Sequence, residues 1–129
     1  MQNVLGPINS YGETGITMMS SDSVWCQCHP ILAVFVGNYP KQALVTCTYN
    51  GQCPKCTVPP GQLGKYEIFL SCMQSDVINV YALADGDPTA FHHACREARI
   101  KPVYHPFWAS LLLVDIFLSI MPDILHQML

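Results

Sequence analysis

The stretch GNYPKQALVTCTYNGQCPKC, Gly37 to Cys56, constrains this chain more than any other. An apolar run, Ile31 to Val36, leads into it and halts at Asn38. The β-branched and aromatic members of that run predict a buried strand, with a short buried helix as the alternative. Pro40 has no amide hydrogen, so the run cannot continue as a regular ladder. Ala43 to Thr48 predicts a second short strand. Tyr49-Asn-Gly-Gln52 predicts a turn, because Asn-Gly accepts positive φ. That turn delivers Cys53 and Cys56 in a Cys-Pro-Lys-Cys knuckle. A strand ending in a neutral amide just ahead of a metal-type knuckle is a puzzle, since a carboxylate there would make chemical sense.

The chain's 129 residues correspond to one ordinary domain. Half are hydrophobic and only 12% are charged, against about a quarter in a typical domain. The shortfall implies a surface covered by a protein partner or by other parts of a larger chain. A net charge of -3 with six Lys+Arg argues against an autonomous nucleic-acid binder with a strong basic patch. Met1 to Ser10 has no basic and apolar signal-peptide pattern. The most apolar stretch, Phe107 to Met121, is interrupted by Asp115 and is too short to span a bilayer. A soluble chain without membrane partners is therefore expected. Seven cysteines without a secretory signal favour thiols or metal ligands over a disulfide framework. Cys72 and Cys95 read as small buried hydrophobes on helical faces.

Three regions follow: an irregular or weakly extended segment over 1–23, a strand region with the knuckle over 24–64, and a helical region over 65–129. Val24 to Cys28 alternates loosely before the His29-Pro30 break. Val58 to Gly64 is a loop. Phe69, Cys72/Met73, Val77, Val80/Tyr81 and Ala84 recur at helical spacing and predict a helix over Lys65 to Ala84. Asp87 is an expected N-cap with Pro88 at the first helical position. Phe91, Ala94/Cys95 and Ala98 form one face of that helix, which ends near Arg99. Lys101 to Trp108 reads as a loop. Leu111 to Ile120 is apolar on nearly all sides, and periodicity does not assign it. Pro122-Asp123 opens a last helix of two turns.

Two thiolates on a tight turn can reach one tetrahedral ion, so Cys53-Pro-Lys-Cys56 has the spacing of half a zinc site. A redox pair and two unligated thiols are the alternatives. The motif does not open a helix, which disfavours a thioredoxin-like role. Remaining ligands could come from His126, from Cys47, or from the Cys26-Gln-Cys28-His29 cluster. His92 and His93 read as surface residues. Among nine carboxylates, Asp87 and Asp123 are helix starters and Asp85 belongs to a turn. Asp115 places a charge inside an apolar run and needs a partner. No carboxylate pair stands at a spacing for general acid/base work, and there is no phosphate loop or nucleophile elbow.

Taken in order, HPILAVFVGNYPKQALVTC, GQCPKC, DGDPTAFHHAC, PVYHPFW and SIMPDILHQ resemble the Plavaka family of fungal DNA transposons, relatives of the CACTA-type elements. The likeness runs from about Cys28 to the C-terminus. It implies a mixed α/β fold: a fragment of an RNase H-like transposase core carrying a mostly helical zinc-knuckle insertion, truncated at its C-terminus. It also implies a nuclear parent enzyme that cleaves and joins DNA through three carboxylates and two divalent metals, usually Mg²⁺.

In that family the second acid stands in a D-YP pattern after the strand. The aligned residue here is Asn38, and Mg²⁺ favours carboxylates over a neutral amide. The resemblance therefore implies a catalytic position lost in this copy, with the other two acids outside the chain. It also implies a structural zinc held by Cys53 and Cys56, with His126 as the third ligand. The expected chain is an inactive transposase fragment that binds DNA weakly or not at all. A non-enzymatic zinc-knuckle interaction module and a non-functional transposon remnant are the rival readings.

Overall fold

Three side-chain caps start three of the helices. The computed structural model describes residues 2–111 and 113–122. Its elements in order are helix α1 (Gln2–Thr14), strands β1 (Ile16–Met19), β2 (Trp25–Cys28) and β3 (Phe35–Gly37), helix α2 (Tyr39–Val45), a single 3₁₀ turn at Pro60–Gln62, helices α3 (Gln74–Tyr81), α4 (Pro88–Glu97) and α5 (Ile116–Ser119), and strand β4 (Ile120–Pro122). Asn38, Asp87 and Asp115 cap α2, α4 and α5 by accepting backbone N–H groups of the first turn. The fold is mixed α/β, as expected.

The chain divides into two compact units. One comprises Met1–Ala33 with Phe107–Val114, the other Val34–Pro106 with Asp115–Leu129. In the first, β1 and β2 form an antiparallel hairpin, with Ile16 opposite Cys28 and Met19 opposite Trp25. Of the segment over 1–23, expected to be irregular or weakly extended, Gln2–Thr14 is instead helix, while Ile16–Met19 is extended. Its sequence gives little warning, since α1 carries Gly6, Pro7 and Gly12, all poor helix formers. Gly15 joins α1 to β1 at φ 73°, where an added Cβ would meet the Gln27 side chain.

In the second unit, β3 and β4 pair in parallel, Phe35 with Ile120 and Gly37 with Pro122. The expected strand over Ile31–Val36 shrinks to Phe35–Gly37, and Ile31, Val34 and Val36 are exposed. A continuous apolar run is buried only when layers cover both faces of its sheet, and this sheet has two strands. The second expected strand, Ala43–Thr48, is mostly helix α2. Pro40 sits in the first turn of that helix, where its missing N–H costs nothing.

Helices α2 and α4 end alike. Cys47 (φ 58°) and Arg99 (φ 60°) turn left-handed, and the next N–H closes back five residues, Thr48 to Ala43 and Ile100 to Cys95, both at 2.9 Å. Thr48 and Ile100 then pair in an antiparallel bridge. Phe91 and Cys95 on α4 are fully buried, and Phe91 stacks against Tyr81 and Tyr104. The helix expected over Lys65–Ala84 begins only at Gln74. Its first part is extended, because Thr57 N–H donates to Leu70 O and Cys72 N–H to Lys55 O, each at 2.9 Å. That pairing overrides the helical spacing. The two-turn helix expected from Pro122 lies, past Pro122 itself, outside the described residues, as does His126.

Candidate functional site

Asn38 follows the last residue of β3 and initiates α2. Its backbone is extended (φ -67°, ψ 163°), and its side-chain carbonyl accepts the Lys41 N–H at 3.3 Å. The residue thus stands between the end of a strand and the start of a helix. What stands there is a neutral amide whose oxygen is already engaged. Behind it, buried Gln42 donates from Nε2 to Gly37 O at 2.7 Å and to Met121 O at 2.9 Å. One side chain thus ties the end of β3 to the middle of β4. Nothing in the sequence pattern singled out Gln42.

The knuckle lies beyond the turn, which forms as expected with Gly51 at φ 83°. Tyr39 braces it: its hydroxyl donates to Gln52 O at 2.9 Å and accepts the Gly51 N–H at 2.7 Å. Cys53 and Cys56 are half-buried, and Cys53 Sγ accepts the Lys55 N–H at 3.4 Å. Lys55 Nζ reaches the carbonyls of Phe117 (2.7 Å) and Leu118 (3.2 Å) in α5. Both carbonyls belong to the last turn of α5, where intrahelical donors run out.

Cys53 and Cys56 line a cavity of about 60 Å³ together with Cys72 and Arg99. Cys72 is half-buried on the extended segment, not on a helical face as expected. Burial pushes its thiol up to about 11, and the neighbouring Cys53 and Cys56 add to that. Burial also raises Cys56, with Cys53 contributing. Arg99 Nη1 donates to Thr57 O at 3.0 Å and Val58 O at 3.4 Å on the cavity wall. The signal that could have found Cys72 was a third thiol sixteen residues after Cys56, on a stretch whose helical reading was wrong.

The other described sequence candidates are not among the residues lining this cavity. Cys47 is buried beside Tyr81. Cys26 and Cys28 are on the β2 hairpin strand, and His29 Nδ1 bonds Gly12 O at 2.9 Å. His92 and His93 are exposed, as expected. The partner demanded for Asp115 is the helix start: its carboxylate accepts from Phe117 N–H at 2.9 Å and Leu118 N–H at 3.1 Å. Among the described residues, no three His, Cys, Asp or Glu side chains are already placed to hold a metal ion. No helix among them is long and apolar enough to cross a membrane.

A family model, that of the Plavaka transposase, matches residues 1–129, the whole chain. No curated protein and no solved structure matches. Membership of that family makes the function transposase-related and DNA the parent enzyme's partner. The match covers the ordered motifs from His29 to Gln127 and every other residue, and this chain belongs to the Plavaka transposase family.

Proposed function

We propose that this chain is a non-catalytic segment of a DNA transposase, in which the position of the family's second metal-binding acid has become a structural helix cap. The observation that carries the reading is Asn38: it follows strand β3 directly and spends its side-chain oxygen on Lys41 N–H. A neutral amide does not fit a two-metal carboxylate site. No phosphoryl-transfer step is therefore assigned to this position. An RNase H-like parent core, with the parent enzyme acting in the nucleus, is part of the same reading.

The knuckle serves as a brace. Cys53 and Cys56 present two thiols from one turn, suited to a structural zinc, with His126 from the family resemblance as a further ligand. When bound, zinc would supply cross-linking and no redox chemistry.

The test is cleavage of labelled transposon-end DNA by the chain with Mg²⁺ or Mn²⁺, beside Asn38→Asp and Asn38→Ala. No cleavage by the native chain is expected. Chelator-sensitive cleavage that persists in Asn38→Ala would place the active carboxylates elsewhere and overturn the reading.

A second reading, a protein-interaction module, draws on the extended segment where Tyr66, Ile68 and Leu70 stand at 80% exposure or more. Apolar residues so placed expose surface that a folded chain normally covers.

A further inference from the structure

The extended segment that replaced the expected helix brings a third thiol to the knuckle. Cys72 N–H donates to Lys55 O, and Thr57 N–H to Leu70 O, on either side of the Cys56–Ser71 bridge. This short ladder fixes the Cys72 backbone beside the turn that carries Cys53 and Cys56. All three side chains line the same cavity. We propose that Cys72 is the third thiolate ligand of a zinc ion held by Cys53 and Cys56. The inference rests on reading the knuckle as a zinc site and supplies a ligand from within the described residues.

The donor set decides the class of ion. Three thiols select a soft or borderline metal and suit neither Mg²⁺ nor Ca²⁺, which prefer oxygen. Among the described residues, the cavity lining contains no carboxylate. Zn–S bonds are about 2.3 Å long, so the thiols must draw inward around the ion. A single χ1 rotation moves each sulfur between staggered positions on a fixed backbone. Three thiolates on a divalent ion leave one negative charge. The Arg99 guanidinium on the cavity wall, anchored to Thr57 O and Val58 O, is placed to offset it. The fourth tetrahedral position remains for a nitrogen or oxygen donor.

Co²⁺ substitution in the full chain, kept reduced, tests the assignment. Intensity of the thiolate-to-cobalt charge-transfer band follows the number of sulfur ligands. The native chain should bind one Co²⁺, displaceable by Zn²⁺. Cys72→Ser should still bind it but lose about a third of the band, one of three sulfur ligands. An undiminished band in Cys72→Ser overturns the Cys72 assignment while leaving the knuckle as a metal site. A native chain that binds neither Co²⁺ nor Zn²⁺ overturns both.

Thiol alkylation of the unmutated chain, mapped by mass spectrometry, is independent of whether the variant folds. Zinc should protect Cys53, Cys56 and Cys72 together and leave exposed Cys26 unaffected. Protection of Cys53 and Cys56 alone overturns the proposal.

Discussion

Lys55, inside the Cys-Pro-Lys-Cys knuckle, donates from Nζ to the carbonyl of Phe117 at 2.7 Å, across 62 residues of sequence. The knuckle is thereby held against α5 by a charged donor. Hydrogen bonds from charged groups contribute roughly 1.5–3 kcal/mol, and Lys55 is only half-buried. Lys55→Met keeps the aliphatic stem and removes the donor, so it should cost about 1–2 kcal/mol, toward the lower end of that range. Denaturant unfolding of the metal-free chain measures this. A change within experimental error would mean that the knuckle is seated by other contacts.

Asn38 makes a second prediction, because the fold does not require an amide there. Asn and Asp are about equal as N-caps, and replacing either by Ala costs about 0.5–2 kcal/mol. A negative charge at a helix start adds about 0.3–1 kcal/mol. Asn38→Asp should therefore leave the melting temperature unchanged or raise it, while Asn38→Ala lowers it. A clear loss of stability in Asn38→Asp would show that the surroundings have adapted to the amide and would weaken its reading as a former acid position.

What the sequence made legible was local chemistry. Asp87-Pro88 announces α4 because a cap and a fixed φ act within four residues, and Asp87 indeed accepts from Thr89 and Ala90 N–H. The Asn-Gly turn was readable for the same reason. The failures come from pairing at long range. Residues 70–72 carry helical spacing but are held extended by Lys55 and Thr57. Ala43 to Val45 look like strand residues but are helical, because Asn38 and Pro40 start a helix just ahead of them. Pro40 has two roles, ending a ladder and opening the first turn of α2, and its missing N–H serves both. The same holds for the site. Asn38 and the two knuckle cysteines stand out in the sequence, whereas Cys72 reaches the cavity only through the ladder that the helical reading missed.

Gln42 is the side chain whose loss should be felt most at the parallel pair. It is buried and donates to two backbone carbonyls, Gly37 O at the end of β3 and Met121 O within β4. Leaving a buried acceptor, here Gly37 O, without a donor costs about 1–3 kcal/mol. Gln42→Leu should fall in that range. Gln42→Glu should cost more, because a carboxylate oxygen would face carbonyl oxygens in a buried place. Chemical denaturation of both variants checks the order. A Gln42→Leu effect no larger than that of a surface change, within about 0.5 kcal/mol, would remove the tie between β3 and β4 from this account.

Stability should also fall on the alkaline side, and the sign follows from three buried acids. Burial pushes the Cys47 and Cys95 thiols up from their ordinary value, and burial followed by the nearby Cys47 raises the Tyr81 hydroxyl. Tyr81 also donates to Lys101 O at 3.0 Å, a bond that needs its proton. An unfolded thiol loses its proton near pH 8.5, roughly. Above that pH the folded chain holds more protons than the unfolded one, so stability decreases as pH rises. The contribution is complete below the unfolded thiol value and is lost as pH climbs through the raised folded values. Unfolding free energies measured from pH 7 upward should therefore be flat at first and then decline, and the decline should be shallower in Cys47→Ala and Cys95→Ala. The slope, not the absolute stability, is the readout, because removing either sulfur also leaves a small cavity. An alkaline slope that is identical in all three chains would assign the loss to groups other than these buried thiols.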